Sequence, residues 1–468
     1  MSKRIGKITP LVLGLGFFLW VFGLDTILGS GEKNAPKNFT EESFLPGHLY
    51  VENEILAKFK PEVTAQGIRS LMADYGLQLI ERIPRINVLR IRTKDQGAFE
   101  RTLAALKDSP SVEYASPNYL LSLAATPNDP YFQYQWAFRN IGQTVGPLER
   151  YPFRNGTPGR DVKATEAWEL STGSVWTLVG VVDTGIDIGH PDLVNNIASP
   201  GKDFFNNDDD AQDDHGHGTH VAGTIAAEGN NNLGVSGFCW KAKILPAKVF
   251  DLNAKGPTSA VINGIIWVTD QGVRAINMSL GGPDIVVTQA LADAIRYAYE
   301  KGVVLVAAAG NQGTPGVWYP AAYEDYVLAA AATDFNDTYM TLQTTDGSWG
   351  SNYGPEVDVA APGYFILSTW GRGLNFRGRP GWSGYNYGNK TSMSTAFVTG
   401  LAALLLSYHP ELNNRQVMDI IRYSSDDINA AQFPGKDIYI GWGRINAHKA
   451  LRLADLILNR PKIPRPIQ

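Results

Sequence analysis

Leu178-Val179-Gly180-Val181-Val182-Asp183-Thr184-Gly185-Ile186-Asp187 is a short, nearly continuous apolar run that ends on a carboxylate and a glycine. A run of that length closed by a turn fits a strand buried on both faces. Four similar runs follow, Ile244 to Val249, Ala275 to Met278, Val303 to Ala309 and Tyr326 to Ala331, with stretches of helical spacing between them. Buried strands alternating with helices predict an α/β domain of three αβα layers around a mostly parallel sheet. Function in such sheets gathers at the carboxyl ends of the strands. An aspartate directly after a buried strand is costly unless it is hydrogen-bonded. Asp183 is therefore either a turn former or an acid that orients a partner.

The 468 residues are 44% hydrophobic and 19% charged, a globular composition with chain enough for two or three domains. Net charge is −5 and no strongly basic block occurs, so nucleic acid is not an expected partner. Cys239 is the single cysteine, which excludes an intrachain disulfide. Between apolar runs it reads as a small buried side chain. Lys3, Arg4 and Lys7 followed by an apolar run from Ile8 to Leu24 have the layout of a secretory signal. The run is also long enough for an uncleaved anchor. The expected organisation is a signal or anchor at 1–30, a linker at 31–48 and a small first domain at 49–124. A large domain at 125–456 and a loose tail at 457–468 follow. In the first domain, Glu54 to Phe59, Val88 to Arg92 and Val112 to Ala115 read as strands, and Ala65 to Tyr75 and Phe99 to Leu106 as helices. With a further strand this is a ferredoxin-like α+β module.

Three further stretches stand where chemistry is expected. His215-Gly216-His217-Gly218-Thr219-His220 leads into a helix of small residues. The spacing of His217 and His220 is not that of a zinc helix, and a histidine beside a buried aspartate fits a general base. Asn311 closes the run Val303 to Gly310, as a turn residue or as an amide that donates to an oxyanion. Thr391-Ser392-Met393-Ser394-Thr395 opens an apolar helix. Small hydroxyl residues there are ordinary caps, but a helix start also favours an anion, which suits a nucleophilic serine.

The order Asp, His, Ser in these contexts resembles that of the subtilisin-like serine peptidases. Asp183-Thr184-Gly185, His217-Gly218-Thr219-His220-Val221-Ala222-Gly223 and Thr391-Ser392-Met393 match the family's three motifs. Thr126-Pro127-Asn128-Asp129-Pro130-Tyr131-Phe132 is similar to the start of thermitase-type members. The resemblance implies that Ser392 is the nucleophile, His217 the general base, and Asp183 the residue that holds its tautomer. Asn311 and the Ser392 N–H would bind the oxyanion. Ser279, Leu280 and Gly281 would form one wall of the primary pocket, and Ala308, Ala309 and Gly310 the other. Trp318, where many relatives carry a small residue, is expected to shorten the pocket and favour a small P1 side chain.

The resemblance also implies Ca²⁺, whose oxygen-only ligation suits these side chains. Asp129, Asp192, Glu228, Asn231, Leu233 and Val235 match a first site. Asp203, Asp208, Asp210 and Gln212 are candidates for a second. Residues 49–124 become an intramolecular inhibitor and folding aid, cut near Ala124 or Ala125, with Ala124 at P1 and Leu121 at P4. Protein or peptide substrates and a monomer are the family expectation. Competing readings are a catalytically inactive binding or chaperone module, and a maturation protease anchored by residues 8–24. The chain departs from the family at Lys390, in place of a glycine, and at Ala396 and Phe397, in place of a Pro-His pair. These departures are expected to alter leaving-group and P1′ preference without abolishing catalysis.

Overall fold

The computed structural model describes residues 50–94, 96–119, 126–146, 154–282, 288–345, 347–371 and 384–458. The leader, the linker, the expected cut at Ala124 or Ala125 and the tail from residue 459 lie outside them. The chain divides into two compact units between residues 123 and 124.

The smaller unit runs β1 (Tyr50–Phe59), α1 (Ala65–Asp74), β2 (Gln78–Ile83), β3 (Val88–Arg92), α2 (Gln96–Asp108) and β4 (Val112–Tyr119). Its sheet order is β2-β3-β1-β4, with β1 antiparallel to both neighbours. Ile55, Ala57 and Phe59 alternate into the core, where they meet Leu89, Ile91, Phe99 and Leu106. Strand β2 is the one the sequence leaves unplaced, because no residue in it is buried and its alternation is weak. Glu54 is fully buried between Arg90 and Arg92. The Arg90 hydrogen bond, helped by Arg92 and Asn118, holds its carboxyl down at about 2 despite burial.

The larger unit contains α3 (Ala164–Trp168), β5 (Leu178–Asp183), β6 (Lys202–Asp203), α4 (His217–Ala226), β7 (Lys243–Lys248), α5 (Thr258–Asp270), β8 (Ala275–Met278), α6 (Gln289–Glu300), β9 (Val304–Ala308), β10 (Val327–Thr333) and β11 (Val359–Pro362). An antiparallel pair, β12 (Ile366–Thr369) and β13 (Tyr385–Gly388), precedes α7 (Thr391–Tyr408), α8 (Asn414–Tyr423) and α9 (Ala447–Ile457). Seven strands form one parallel sheet in the order β11-β10-β9-β8-β5-β7-β6.

Period-two alternation splits the core into two layers. Val179, Val181, Val304, Val306, Leu328 and Ala330 face one layer, which α4, α7, α8 and α9 cover. Val182, Leu305, Ala307, Val327 and Ala329 face the other, under α5 and α6. Helix α7 is buried from Thr391 through Leu406. It is apolar and long enough to cross a bilayer by composition, yet it lies inside the fold, as an all-round apolar helix must. Cys239 is buried beside Ser407, and burial pushes its thiol up to about 11.

From β5 the chain passes first to β6 and β7 on one side, then crosses to β8 on the other. Strand order therefore reverses between β5 and β8, and the carboxyl ends there open the crevice where parallel sheets hold their ligands. Asp183 ends β5 and Ser279 follows β8.

Candidate active site

Asp183 and His217 meet directly. Asp183 Oδ1 accepts the Thr184 N–H at 2.7 Å and lies 2.7 Å from His217 Nδ1. Asp183 is 1% exposed, whereas the imidazole keeps a quarter of its surface open. Two glycines permit this contact. Gly185, at φ +99°, turns the chain off the strand. Gly218 has no side chain, and a Cβ there would run into the Gly185 carbonyl and Asp183. Helix α4 can therefore start against the end of β5.

Asp213 ties this corner together, and sequence reading missed it because it sits inside an acidic stretch. Its Oδ1 accepts Thr184 Oγ1 at 2.9 Å, the His215 N–H at 3.0 Å and the Gly216 N–H at 2.9 Å. Its Oδ2 accepts the Thr219 N–H at 3.0 Å and the Thr219 hydroxyl. Lys248, buried at the end of β7, donates to Thr184 O, Phe250 O and Asp214. The only sequence signal for either residue was a charge placed next to a buried strand or a helix start.

Burial disfavours the charged imidazolium of His217, but the charge and hydrogen bond of Asp183, with Asp213 behind, outweigh it. The histidine is therefore raised above its ordinary value, while Lys390 opposes the rise. The flanking histidines go the other way. Burial pushes His220 down to about 4, and its Nε2 is held 2.9 Å from Ile366 O. Burial, then His217, lowers His215.

The opening of α7 is not capped by its own hydroxyls. The N-cap is Lys390, without a side-chain cap bond. Thr391 N–H and Oγ1 both donate to Asn311 Oδ1 at 2.9 Å. With that oxygen engaged, the Asn311 amide nitrogen is the group left to donate. Ser394 is spoken for, since its buried Oγ donates to Ala361 O at 3.0 Å. Ser392 keeps 6% exposure. Its Oγ donates to Ser279 O at 3.3 Å, and Ser279 Oγ returns a bond to Ser392 O at 2.8 Å. Asn277 and Thr399 extend that chain at 2.9 Å per link. The hydroxyl thus points to Ser279 rather than to His217; such contacts often tighten only when substrate is bound. Helices α4 and α7 pack against each other, and a Cβ at Gly388 would run into the His220 ring and crowd Met393 Sδ.

Ser279-Leu280-Gly281 and Ala308-Ala309-Gly310 leave the neighbouring strands β8 and β9. Trp318 bridges them. Its N–H donates to Ala309 O at 2.9 Å. Its ring lies 2.9 Å from where a Gly310 Cβ would stand, and its own Cβ 3.3 Å from the same point on Gly281. Tyr319 and Gly282 exchange backbone bonds at 2.9 and 3.0 Å.

Asp129 and Asp192 converge on the loop 228–235. Asp129 accepts the Asn230 and Asn231 N–H groups at 2.8 and 3.1 Å. Asp192 accepts the Val235 N–H at 2.9 Å, Asn231 Nδ2 at 2.8 Å and the Tyr385 hydroxyl at 3.2 Å. Burial first, then Asp129, pushes Asp192 up to about 7. Two buried carboxylates of like charge with neutral partners fit a divalent cation. One detail departs from expectation: Asn231 turns its nitrogen to Asp192 and its oxygen to the Leu233 N–H. An amide facing bare carboxylate donates to it, and ligation of a cation needs the amide turned over.

The second candidate set is not gathered. Asp203 is buried, and its oxygens accept Phe205 N–H, Asn206 N–H and Asn206 Nδ2. Asp208 and Asp210 are exposed and accept the N–H two residues on, and Gln212 is exposed. Among the described residues no three acidic, histidine or cysteine side chains group to hold a metal. The stretch 203–212 is built as a run of self-satisfied turns.

Residues 176–443 match the Subtilase family, and residues 40–118 match the Fervidolysin N-terminal prodomain. The chain belongs to the subtilase family and is a serine-type endopeptidase with an N-terminal prodomain. It is 35% identical over 454 residues to Thermophilic serine proteinase of Bacillus sp. (strain AK1), covering 96% of this chain and 99% of that one. It is 38% identical over 327 residues to Thermitase of Thermoactinomyces vulgaris, covering 70% and 99%. Among solved structures, a protease from Pseudoalteromonas arctica PAMC 21717 superposes with a TM-score of 0.56 at 30% identity, covering 70% of this chain and all of that one.

Proposed function

We propose that this protein is an exported endopeptidase that cleaves peptide bonds through an acyl-enzyme formed on Ser392. The observation that carries the reading is the 2.7 Å contact between Asp183 and His217, built where α4 and α7 begin. His217 takes the Ser392 proton as the hydroxyl attacks the carbonyl, and returns it to the leaving amine. Asp183 holds the tautomer that keeps Nε2 free to accept. The Ser392 N–H and Asn311 Nδ2 receive the developing oxyanion. Water then attacks the ester by the same route, and Ser392 is regenerated.

Substrate lies as an extended strand between the 279–281 and 308–310 segments, with P1 against Trp318. The indole leaves room for a small side chain. The prodomain inhibits until the chain cuts itself near Ala124, which puts an alanine at P1. Residues 1–30 direct export. Asp129, Asp192, Asn231 and the carbonyls of Glu228, Leu233 and Val235 hold one Ca²⁺, which supplies structural crosslinking and no catalytic step. No second calcium is proposed.

A fluorophosphonate probe tests the reading. Wild type should be labelled and Ser392→Ala should not, with N-terminal sequencing placing the cut. Equal labelling of both proteins would remove Ser392 from its role, and no labelling of either would favour an inactive binding module.

A further inference from the structure

Lys390 has a backbone conformation that side chains rarely take. Its φ is +101° and its ψ 170°. That region is occupied almost only by glycine, and residues strained there cluster at functional sites. The surroundings enforce it. The Lys390 N–H donates to Gly363 O at 2.8 Å, and its carbonyl accepts the Met393 N–H at 3.1 Å. The Thr391 N–H is fixed on Asn311. Glycine would make the same backbone bonds without strain, so they give no reason for a side chain here. That side chain is exposed, and no ion pair among the described residues holds its ammonium.

Its approach fixes the side it serves. Strand β13 leads into Lys390 along α4, with Gly388 against the His220 ring. The segments 279–281 and 308–310, at the ends of β8 and β9, are bonded by Ser392 and Thr391 and not by Lys390, whose own backbone bonds go to Gly363 and Met393. Lys390 therefore reaches Ser392 from the side of the helix that carries His217, where the leaving amine receives its proton. Its charge is felt at His217.

We propose that Lys390 is a specificity-determining residue that pairs with a substrate carboxylate in the first two positions after the scissile bond. This rests on the endopeptidase reading above. An exposed cation two residues before the nucleophile meets those side chains before it meets any on the acyl side, and Asp or Glu is the complement it lacks within its own chain.

The test uses the mature enzyme and peptide pairs with alanine at P1 that differ only as Glu or Gln at P1′, and again at P2′. In wild type the Glu peptide of at least one pair should be favoured in kcat/KM by about two- to fivefold, the worth of an exposed ion pair. The preference should fade in ~0.5 M salt, where such charges are screened. Lys390→Gly and Lys390→Met should bring the ratio to one, and Lys390→Glu should invert it. Because the ratio is internal to each variant, a lower overall rate does not obscure it. Lys390→Gly should also melt at a higher temperature, since the strain is gone. A wild-type ratio of one at both positions, or a preference that survives both neutral variants, overturns the proposal while leaving the endopeptidase intact. Failure of the underlying reading looks different, because neither peptide is cut and the probe labels nothing, and that outcome overturns both.

Discussion

Asn311 Oδ1 accepts the Thr391 backbone N–H and the Thr391 hydroxyl, each at 2.9 Å. The two bonds decide which end of the amide faces the site. An unconstrained asparagine could present oxygen, which would repel an oxyanion. With the oxygen bound behind, nitrogen is presented in front.

Asn311→Leu should therefore keep the fold and KM while kcat falls about 10²- to 10³-fold, the usual effect of losing one oxyanion donor. Kinetics on a chromogenic peptide decide it. A loss carried by KM instead would place Asn311 in ground-state binding.

The acid limb of kcat/KM should report His217, which must be neutral to act as base. Burial opposes its charged form, as does Lys390, but Asp183 and Asp213 favour it, and the net shift is upward from 6.5. Activity should thus fall as pH drops through a midpoint above 6.5. Lys390→Met removes one opposing charge, so its midpoint should lie higher than that of wild type. A midpoint displaced downward in the variant would contradict the stated sign.

Trp318 touches both pocket walls, so its removal should open the site. Trp318→Gly should raise kcat/KM for Phe or Leu at P1 relative to Ala by about tenfold or more, given ~1–3 kcal/mol per methylene in a filled pocket. A peptide library read before and after the substitution measures this. A wild type that already prefers Phe at P1 sinks the argument.

Chelation should destabilise the larger unit. A cation at a hundred times its dissociation constant adds about 2.7 kcal/mol, enough to lower the melting temperature of a unit of this size by about 4 °C on removal. Asp192→Asn should melt low and lose its response to EDTA. An unchanged wild-type melting curve in EDTA would leave the Asp129–Asp192 pair without its cation.

The layered sheet was legible because apolar runs such as Leu178 to Val182 are long enough to bury on both faces and short enough to be strands. The Asp183, His217 and Ser392 stretches were legible because each sets an unusual chemical group beside turn-forming or small residues. Strand β2 was faint because its side chains contribute little to any core. Asp213 was hidden because an acid that collects backbone N–H groups looks, in sequence, like its solvated neighbours. In the acidic run 203–212, whose candidate ligands came from the family resemblance, Asp203, Asp208 and Asp210 each accept from N–H groups two or three residues on, and residue type alone does not show which partner a carboxylate takes.

Sequence alone determined the class of fold, the order of the reactive residues and the family, because periodicity and motif spacing are local properties of the chain. Tertiary structure decided that Ser394 is tied to Ala361 while Ser392 bonds Ser279, that Asn311 spends its oxygen on Thr391, and that Trp318 stands against both the 279–281 and 308–310 segments. It also showed that Lys390 holds a glycine-like conformation. Each of these depends on contacts between residues far apart in sequence, and on which hydrogen bond a group has already made.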